Sequence, residues 1–309
     1  MDRNGFHMDI FKEKTMTFDP LTLRDVQTKE LSLEISGFDK AMPFAKPRQN
    51  PYFSILLVSK GKGRAIRDGA DFTFEAPCLL CFSIYQSYSI SAEGDLEGVL
   101  LSFHPSFFCL FEHRHEVSCN GVLFNNLYDT PVVQLERNDM QTLLTIAGQI
   151  RGELSQRDAP DKDILLSFLK VFLINASRIK LEQQRTDTAG AQKATPILSD
   201  LTNAIEKHYK TLHQPGEYEK LLHVSAAVLN KASKAYFRKT LTALIAERLI
   251  IEAKRQLYLT ARPVKEIAFE LGYDDEFYFS RFFKKNVGVS PVVFREKVGF
   301  DKGQGAMAS

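Results

Sequence analysis

The 309-residue chain has no apolar run approaching the roughly 18 residues that a membrane-spanning helix needs. Its first 14 residues mix charged and apolar side chains and lack the apolar stretch of a secretory signal, so the expected compartment is the cytoplasm. Cysteine is scarce. Cys78, Cys81, Cys109 and Cys119 are the full set, too few for a disulfide scaffold. Cys78-Leu-Leu-Cys81 has the spacing of half a zinc site, but its filler is apolar and no second pair or neighbouring histidine completes a tetrahedral set. Buried, reduced core cysteines are expected. Charge of one sign is also lacking: 40 Lys+Arg against 38 Asp+Glu leave +2, so total charge indicates no partner. No Gly-rich phosphate loop or GxSxG elbow is found. What remains is ordinary globular composition, 44% hydrophobic and 25% charged, in a chain long enough for two domains.

The hydrophobic period changes along the chain. Residues 28–135 read as strands. Residues 31–35 alternate with period two, and 52–58 form an apolar, β-prone run too short for a typical helix. Lys60-Gly-Lys-Gly63 and Arg67-Asp-Gly69 read as turns, with further strands at 71–74, 78–85 and 98–103. Short strands at this spacing suggest a sandwich or small barrel. From 138 to about 183 apolar residues recur at three- and four-residue steps, as in a helical pair with an apolar stripe. Residues 184–196 hold no large apolar residue before Pro196 and read as a flexible linker. Beyond them every element to about residue 298 reads as helix, and 299–309 as a disordered tail.

Charge follows this division. Residues 196–298 carry 17 Lys+Arg and 12 Asp+Glu, a balance of +5, and the rest of the chain is left at −3. A weakly basic helical region after an acidic strand-rich one is a hint of nucleic acid.

The sharper signal lies near the C-terminus. Residues 263–271 read as a short helix with proline in its first turn and Ile267, Ala268 and Leu271 on the buried face. Gly272 suits the turn, and Asp274 or Asp275 can cap a second helix from Glu276 to Lys285. This is helix-turn-helix patterning. On the second helix Phe279, Phe282 and Phe283 group on one face. Phe277, Ser280, Arg281 and Lys284 fall opposite, with Glu276 at the edge. A recognition helix presents such an outer face to base edges. Arg281 suits guanine, Lys284 and Lys285 suit phosphates, and Phe277 is either a thymine-methyl contact or core.

A second copy lies upstream. Residues 216–222 would be its first helix and 223–225 its turn, with Ser225 capping a helix over 226–234. Val228, Leu229 and Ala232 are expected inward. Asn230, Lys231 and Lys234 are expected outward, Asn230 as an adenine reader and the lysines as phosphate contacts. Between the copies, residues 241–259 form a striped helix about 28 Å long, enough to separate two recognition helices by close to one DNA turn.

These residues carry a resemblance. Residues 197–297 resemble the DNA-binding domain of the AraC/XylS family of bacterial transcription regulators. The likeness runs through Glu252-Ala-Lys-Arg-Gln-Leu257 and Val264-Lys-Glu-Ile-Ala-Phe-Glu-Leu-Gly-Tyr273. It continues at Asp275, Phe279-Ser-Arg281, Phe283-Lys-Lys285, Gly288, Ser290-Pro291 and Phe294-Arg295. The first motif matches more loosely: Tyr236-Phe-Arg-Lys239 offers no glycine where members of the family commonly have one. The resemblance implies an α+β multidomain chain. A cupin-like β-barrel for effector binding and dimerisation would occupy 1–183, with a helical dimerisation segment. After the linker, an all-α domain over 197–298 would carry two helix-turn-helix motifs. The implied partners are double-stranded DNA, a second copy of the chain, a small-molecule effector and RNA polymerase. No cofactor is expected. For an effector pocket the aromatic or cationic candidates are Arg48, Tyr52, Phe72, Phe82, Tyr85 and Tyr88, with barrel core as the competing reading of the aromatics.

Two alternatives stand beside this reading. Cupin folds also serve as metal-dependent enzymes, and His113-Arg-His115 with Glu116, near His104 and Cys109, has ligand chemistry. Its charged neighbours suit an exposed loop, so neither a metal nor catalysis is expected. The other alternative is a regulator that needs no effector.

Overall fold

Strands fill the first part of the chain and helices the rest, and the burial pattern explains which strands could be read. The computed structural model describes residues 18–26, 28–39, 44–108, 122–124, 127–156, 160–190 and 196–298. Among these the strands are β1 (Leu21–Arg24), β2 (Leu31–Phe38), β3 (Phe53–Lys60), β4 (Lys62–Arg67), β5 (Ala70–Glu75), β6 (Cys78–Phe82), β7 (Tyr88–Ala92), β8 (Glu97–Phe103) and β9 (Val132–Gln134). They pair in an antiparallel six-stranded sheet of order β1-β2-β8-β3-β6-β9 and a three-stranded sheet of order β5-β4-β7.

One apolar core joins the two sheets. Phe38, Leu56, Leu80, Phe82 and Leu100 of the larger sheet cluster with Ala65, Phe74, Tyr88 and Ile90 of the smaller. The other face of the larger sheet is buried as well: Leu33, Ile55, Leu57, Leu79, Cys81 and Leu101 are at most 2% exposed. Here α1 (Arg137–Leu154) packs along β1 and β2, and Lys180 of α2 (Lys162–Gly190) donates to the Val132 carbonyl of β9 at 3.1 Å. A strand covered on both faces loses its alternation, so β3 and β6 read as continuous apolar runs.

Three details differ from expectation. The stretch 60–63 is not a turn as a whole, since β4 starts at Lys62. Gly63 lies inside β4 because a Cβ there would meet the Ser91 carbonyl oxygen at 2.2 Å, where β7 pairs closely. The strand expected over 78–85 ends at Phe82, and Tyr85 takes φ +50° with its amide bonded to the Asn50 carbonyl at 2.7 Å. The third detail concerns the linker. α2 continues as helix to Gly190, because residues 184–189 contain neither proline nor glycine to stop it.

Cys78 and Cys81 are buried thiols, and burial pushes the Cys78 thiol up to about 12, which keeps it protonated and inert. Cys109 and Cys119 lie outside the described residues, as do residues 191–195, the 299–309 tail, and His113, His115 and Glu116.

The chain divides into two compact units. One comprises Met1–Phe124 and Pro131–Gln183, the other Asn125–Thr130 and Gln184–Ser309. The short 125–130 segment therefore belongs with the helical unit, which sequence order does not suggest. That unit contains α3 (Pro196–His208), α4 (Pro215–Leu222), α5 (Ala226–Phe237), α6 (Leu241–Leu259), α7 (Val264–Glu270), α8 (Glu276–Val287) and α9 (Pro291–Val298).

Candidate nucleic-acid interface

α7, a turn and α8 make the second helix-turn-helix. Pro263 sits at the N-cap of α7, and Val264, Ile267 and Ala268 form its buried face. Gly272 turns the chain with φ +81°, and a Cβ there would come within 2.1 Å of the Lys210 carbonyl oxygen. Of the two candidate caps it is Asp275 that acts, its Oδ1 accepting from the Phe277 amide at 2.7 Å. α8 buries Phe279, Phe283 and Val287. Tyr273 packs beside them, its ring 5.3 Å from Phe279 and 5.4 Å from the half-buried Phe282, and Phe283 meets Phe294 of α9 at 5.6 Å.

The outer face of α8 is as expected. Phe277 is 73% exposed, which excludes the core reading, and Arg281, Lys284 and Lys285 are exposed as well. Ser280 and Glu276 are intermediate. The Arg281 guanidinium lies 4.0 Å from Asp275 Oδ2 and 6.0 Å from the Tyr278 ring centroid. Sequence reasoning missed Tyr278, which is 57% exposed beside Phe277.

The first motif, α4 to α5, repeats this plan fifty positions earlier. Ser225 caps α5 as Asp275 caps α8, and each recognition helix ends on a left-handed residue, Arg238 or Gly288. Thr240 caps α6 through the Ala243 amide at 3.1 Å, and Ser290 accepts from the Val293 amide at 3.3 Å. In this register Lys231 matches Arg281, Lys234 matches Lys284, Val228 matches Tyr278 and Asn230 matches Ser280.

The expected phase of α5 needs correction. Leu229, Ser233 and Phe237 are its buried positions, four residues apart. Val228, expected inward, is 46% exposed. Asn230, expected outward as an adenine reader, is half-buried, and its Oδ1 accepts from the Leu241 amide in the first turn of α6 at 3.1 Å. Lys231 and Lys234 are exposed, as expected. The missing glycine is absorbed by Arg238 itself, which takes φ +57°.

Different chemistry holds each motif. In the first, the Ser233 hydroxyl donates to the Lys239 carbonyl at 2.6 Å, and the buried Lys239 pairs with Glu247 of α6 at 2.5 Å. Tyr128 packs its ring 5.5 Å from that of Phe237, and its hydroxyl donates to Glu206 of α3 at 3.0 Å. Burial raises the Tyr128 pKa, so the hydroxyl stays a donor. Around the second motif, Glu270 accepts from Lys210 at 2.7 Å, from Gln256 of α6 at 2.9 Å and from Arg262. The hydrogen bonds from Lys210 and Arg262 hold the Glu270 carboxyl down to about 2.

Some of the effector-pocket candidates are neighbours: Arg48 and Tyr88 exchange backbone hydrogen bonds at 2.8 and 3.0 Å. Phe82 and Tyr88 stack at 4.0 Å between the two sheets, at 0% and 3% exposure, and are core. Phe72 lies 5.1 Å beneath the Arg67 guanidinium, and Arg48 covers Phe44 at 4.9 Å. Tyr52 meets His104 edge-on at 5.8 Å, while Tyr85 is buried in the loop between β6 and β7. A cleft of about 380 Å³ opens elsewhere, lined by residues including Lys62, Thr73, Phe74, Glu75, Glu93 and Gln134, none of them among the six. Among the described residues, no group of three or more His, Cys, Asp and Glu is placed to hold a metal ion, and no helix is long and apolar enough to cross a membrane.

Two helix-turn-helix units, each with an exposed cationic second helix, have the plan of a DNA-binding fold. Residues 218–297 match the family model described as a helix-turn-helix domain. The transcriptional activator Btr of Bacillus subtilis (strain 168) is 36% identical over 97 residues, 28% of this chain and 18% of Btr. The chain thus matches less than a fifth of that relative's length. The transcriptional activator RhaR of Enterobacter sp. (strain 638) is 21% identical over 246 residues, 80% of this chain and 85% of RhaR. The C-terminal domain of AraT, a response regulator from Geobacillus stearothermophilus, is 30% identical over 35% of this chain and 91% of that one, with a TM-score of 0.34. The helical unit thus contains a helix-turn-helix DNA-binding domain, similar to those of the transcriptional activators above, and most of the strand-rich unit precedes it in the chain.

Proposed function

We propose that the chain is a one-component transcription regulator. Its two recognition helices, α5 and α8, enter successive major-groove segments of one duplex, and a ligand of the strand-rich unit controls that binding. The observation that carries this reading is the repeated motif, in which Lys231 and Lys234 on α5 and Arg281, Lys284 and Lys285 on α8 stand exposed on capped helices. Between them α6 spans 19 residues, about 28 Å, which with the helices' own offsets approaches the 34 Å of one DNA turn. The base-facing set is Phe277, Ser280 and Arg281 with Glu276 at its edge, and the phosphate set is Lys231, Lys234, Lys284 and Lys285.

The effector site of this reading is the 380 Å³ cleft, not the stacked aromatics. Lys62, Glu75 and Glu93 give it both charge signs around the apolar Phe74, which suits a small polar metabolite. The helices α1 and α2 serve the dimer, and RNA polymerase is the downstream partner. The relatives are transcriptional activators, and the chain acts as a regulator rather than an enzyme.

Selection of genomic fragments by the purified full chain at two salt concentrations tests this. The expected result is an enriched motif with two contacts about 10 bp apart and a loss of affinity as salt rises. Absence of any enriched motif, repeated with metabolite extracts present, overturns the regulator reading.

A further inference from the structure

The two recognition helices have the same frame but not the same outward chemistry. α5 offers Ala227, Val228, Lys231 and Lys234. Its one amide side chain, Asn230, is engaged by the Leu241 amide at 3.1 Å, and so serves an N–H of the first turn of α6 beside the one that Thr240 caps. Swinging it into a groove would break the bond to the Leu241 amide. What α5 keeps over its first three turns is small or aliphatic surface and two flexible point charges, which hold phosphates and discriminate poorly between bases, and its exposed Tyr236 lies in the last turn.

α8 differs at the matched positions. Arg281 stands where α5 has Lys231, and Phe277 and Tyr278 stand where α5 has Ala227 and Val228. Arg281 also has an acid and a ring near it: Asp275 bonds the Phe277 amide through Oδ1 and lies 4.0 Å from the guanidinium through Oδ2, while the Tyr278 ring centroid lies 6.0 Å from the same guanidinium. The fork is therefore drawn toward the N-terminal end of α8, the end that meets base edges in a helix-turn-helix. Phe277 and Arg281 are four residues apart, one above the other on one face, about 6 Å along the axis. That is close to two base-pair steps of about 3.4 Å.

We infer that the two motifs divide the reading of DNA. α8 selects the sequence, with Phe277 on a thymine methyl and Arg281 on a guanine about two base pairs away, and α5 anchors the neighbouring turn through the backbone. Asp275 is a positioning residue, acting through Arg281. The inference rests on the DNA-binding reading above and assigns the content of the two half-sites.

The test is selection from a random duplex pool by the full-length chain and by variants at exposed positions, each first checked for an unchanged melting temperature. The wild type should enrich one well-defined half-site containing thymine and guanine, beside a degenerate one about 10 bp away. Arg281→Ala should reduce the guanine preference roughly 5- to 150-fold and leave the other positions intact. Replacing that thymine by uracil, which lacks only the methyl group, should weaken wild-type binding about fourfold and leave Phe277→Ala unchanged. Asp275→Asn keeps a capping oxygen and should lower the guanine preference by less than Arg281→Ala does. Lys231→Ala should weaken every sequence about equally and flatten the salt dependence by about one unit of slope. If the wild type enriches a motif whose preferences survive Arg281→Ala and vanish in Lys231→Ala or Val228→Ala, the division is wrong and DNA reading stands. If the wild type enriches no motif, the DNA reading itself falls.

Discussion

The two helix-turn-helix motifs share a frame and differ in what fills it. At matched buried positions α5 has Leu229, Ser233 and Phe237, and α8 has Phe279, Phe283 and Val287. The second motif is held by aromatic packing, with Phe283 against Phe294 and Tyr273 against Phe279. The first is held by polar bonds, Ser233 to the Lys239 backbone and Lys239 to Glu247, with the ring of Tyr128 added from far away in sequence. The same backbone path can thus be stabilised by non-directional burial or by a few directional contacts. The second kind depends on each partner staying in place.

The largest expected effect tests that contrast directly. Phe283→Ala should cost about 3–5 kcal/mol in chemical denaturation, the usual loss for a fully buried phenylalanine. Ser233→Ala at the matched position should cost only about 1 kcal/mol. Equal costs would erase the distinction. Next, Glu247→Ala should cost about 2 kcal/mol, because it removes a carboxylate partner from the buried Lys239 ammonium. The same change at the exposed Lys62–Glu93 pair should be within experimental error.

The ion cluster of the second motif gives a pH signature. Glu270 is held at about 2, below the ordinary glutamate value of about 4.3. A depressed carboxyl stabilises the folded state above the unfolded value and loses that contribution as pH falls through the folded one. Stability should therefore decline between about pH 4 and pH 2, and Glu270→Gln should flatten that part of the curve in melts across the range. An unchanged slope would mean that Lys210 and Arg262 contribute no net charge stabilisation. The smallest effect concerns the helix ends. Arg238→Gly should raise stability by up to about 1 kcal/mol, since φ +57° strains a residue with a Cβ. Gly288→Ala should lower stability by about the same amount.

The second motif was legible because its signals are local. Proline before α7, Gly272 in the turn, Asp275 at the cap and the Phe279/Phe283 spacing all act within a few residues. Phe277 was decided only by its 73% exposure. The first motif was legible as helices and a Ser225 cap, but not in phase. Asn230 is turned by an amide 11 residues away, and the small Ala226, Ala227 and Ala232 leave α5 with a weak stripe. The fifty-residue register matches Val228 to the exposed Tyr278, but it also matches Asn230 to the outward Ser280 and gives no sign of the bond that turns Asn230 inward. In the strand-rich unit, β3 and β6 were recognisable as strands, but their apolar runs carry no face information. The pairing of β3 between β8 and β6, and the burial of Phe82 against Tyr88, follow from contacts between residues far apart in sequence.

Sequence by itself determined the change from period-two to helical patterning, the caps and turns of α7 and α8, and the cationic outer face of α8. Each is written in residues no more than a helical turn or two apart. Tertiary structure decided the sheet order, the burial of Phe82 against Tyr88, the withdrawal of Asn230 and the membership of 125–130 in the helical unit. These depend on which distant groups meet. A buried amide or hydroxyl bonds whatever partner the fold brings within about 3 Å, and no local spacing encodes that partner.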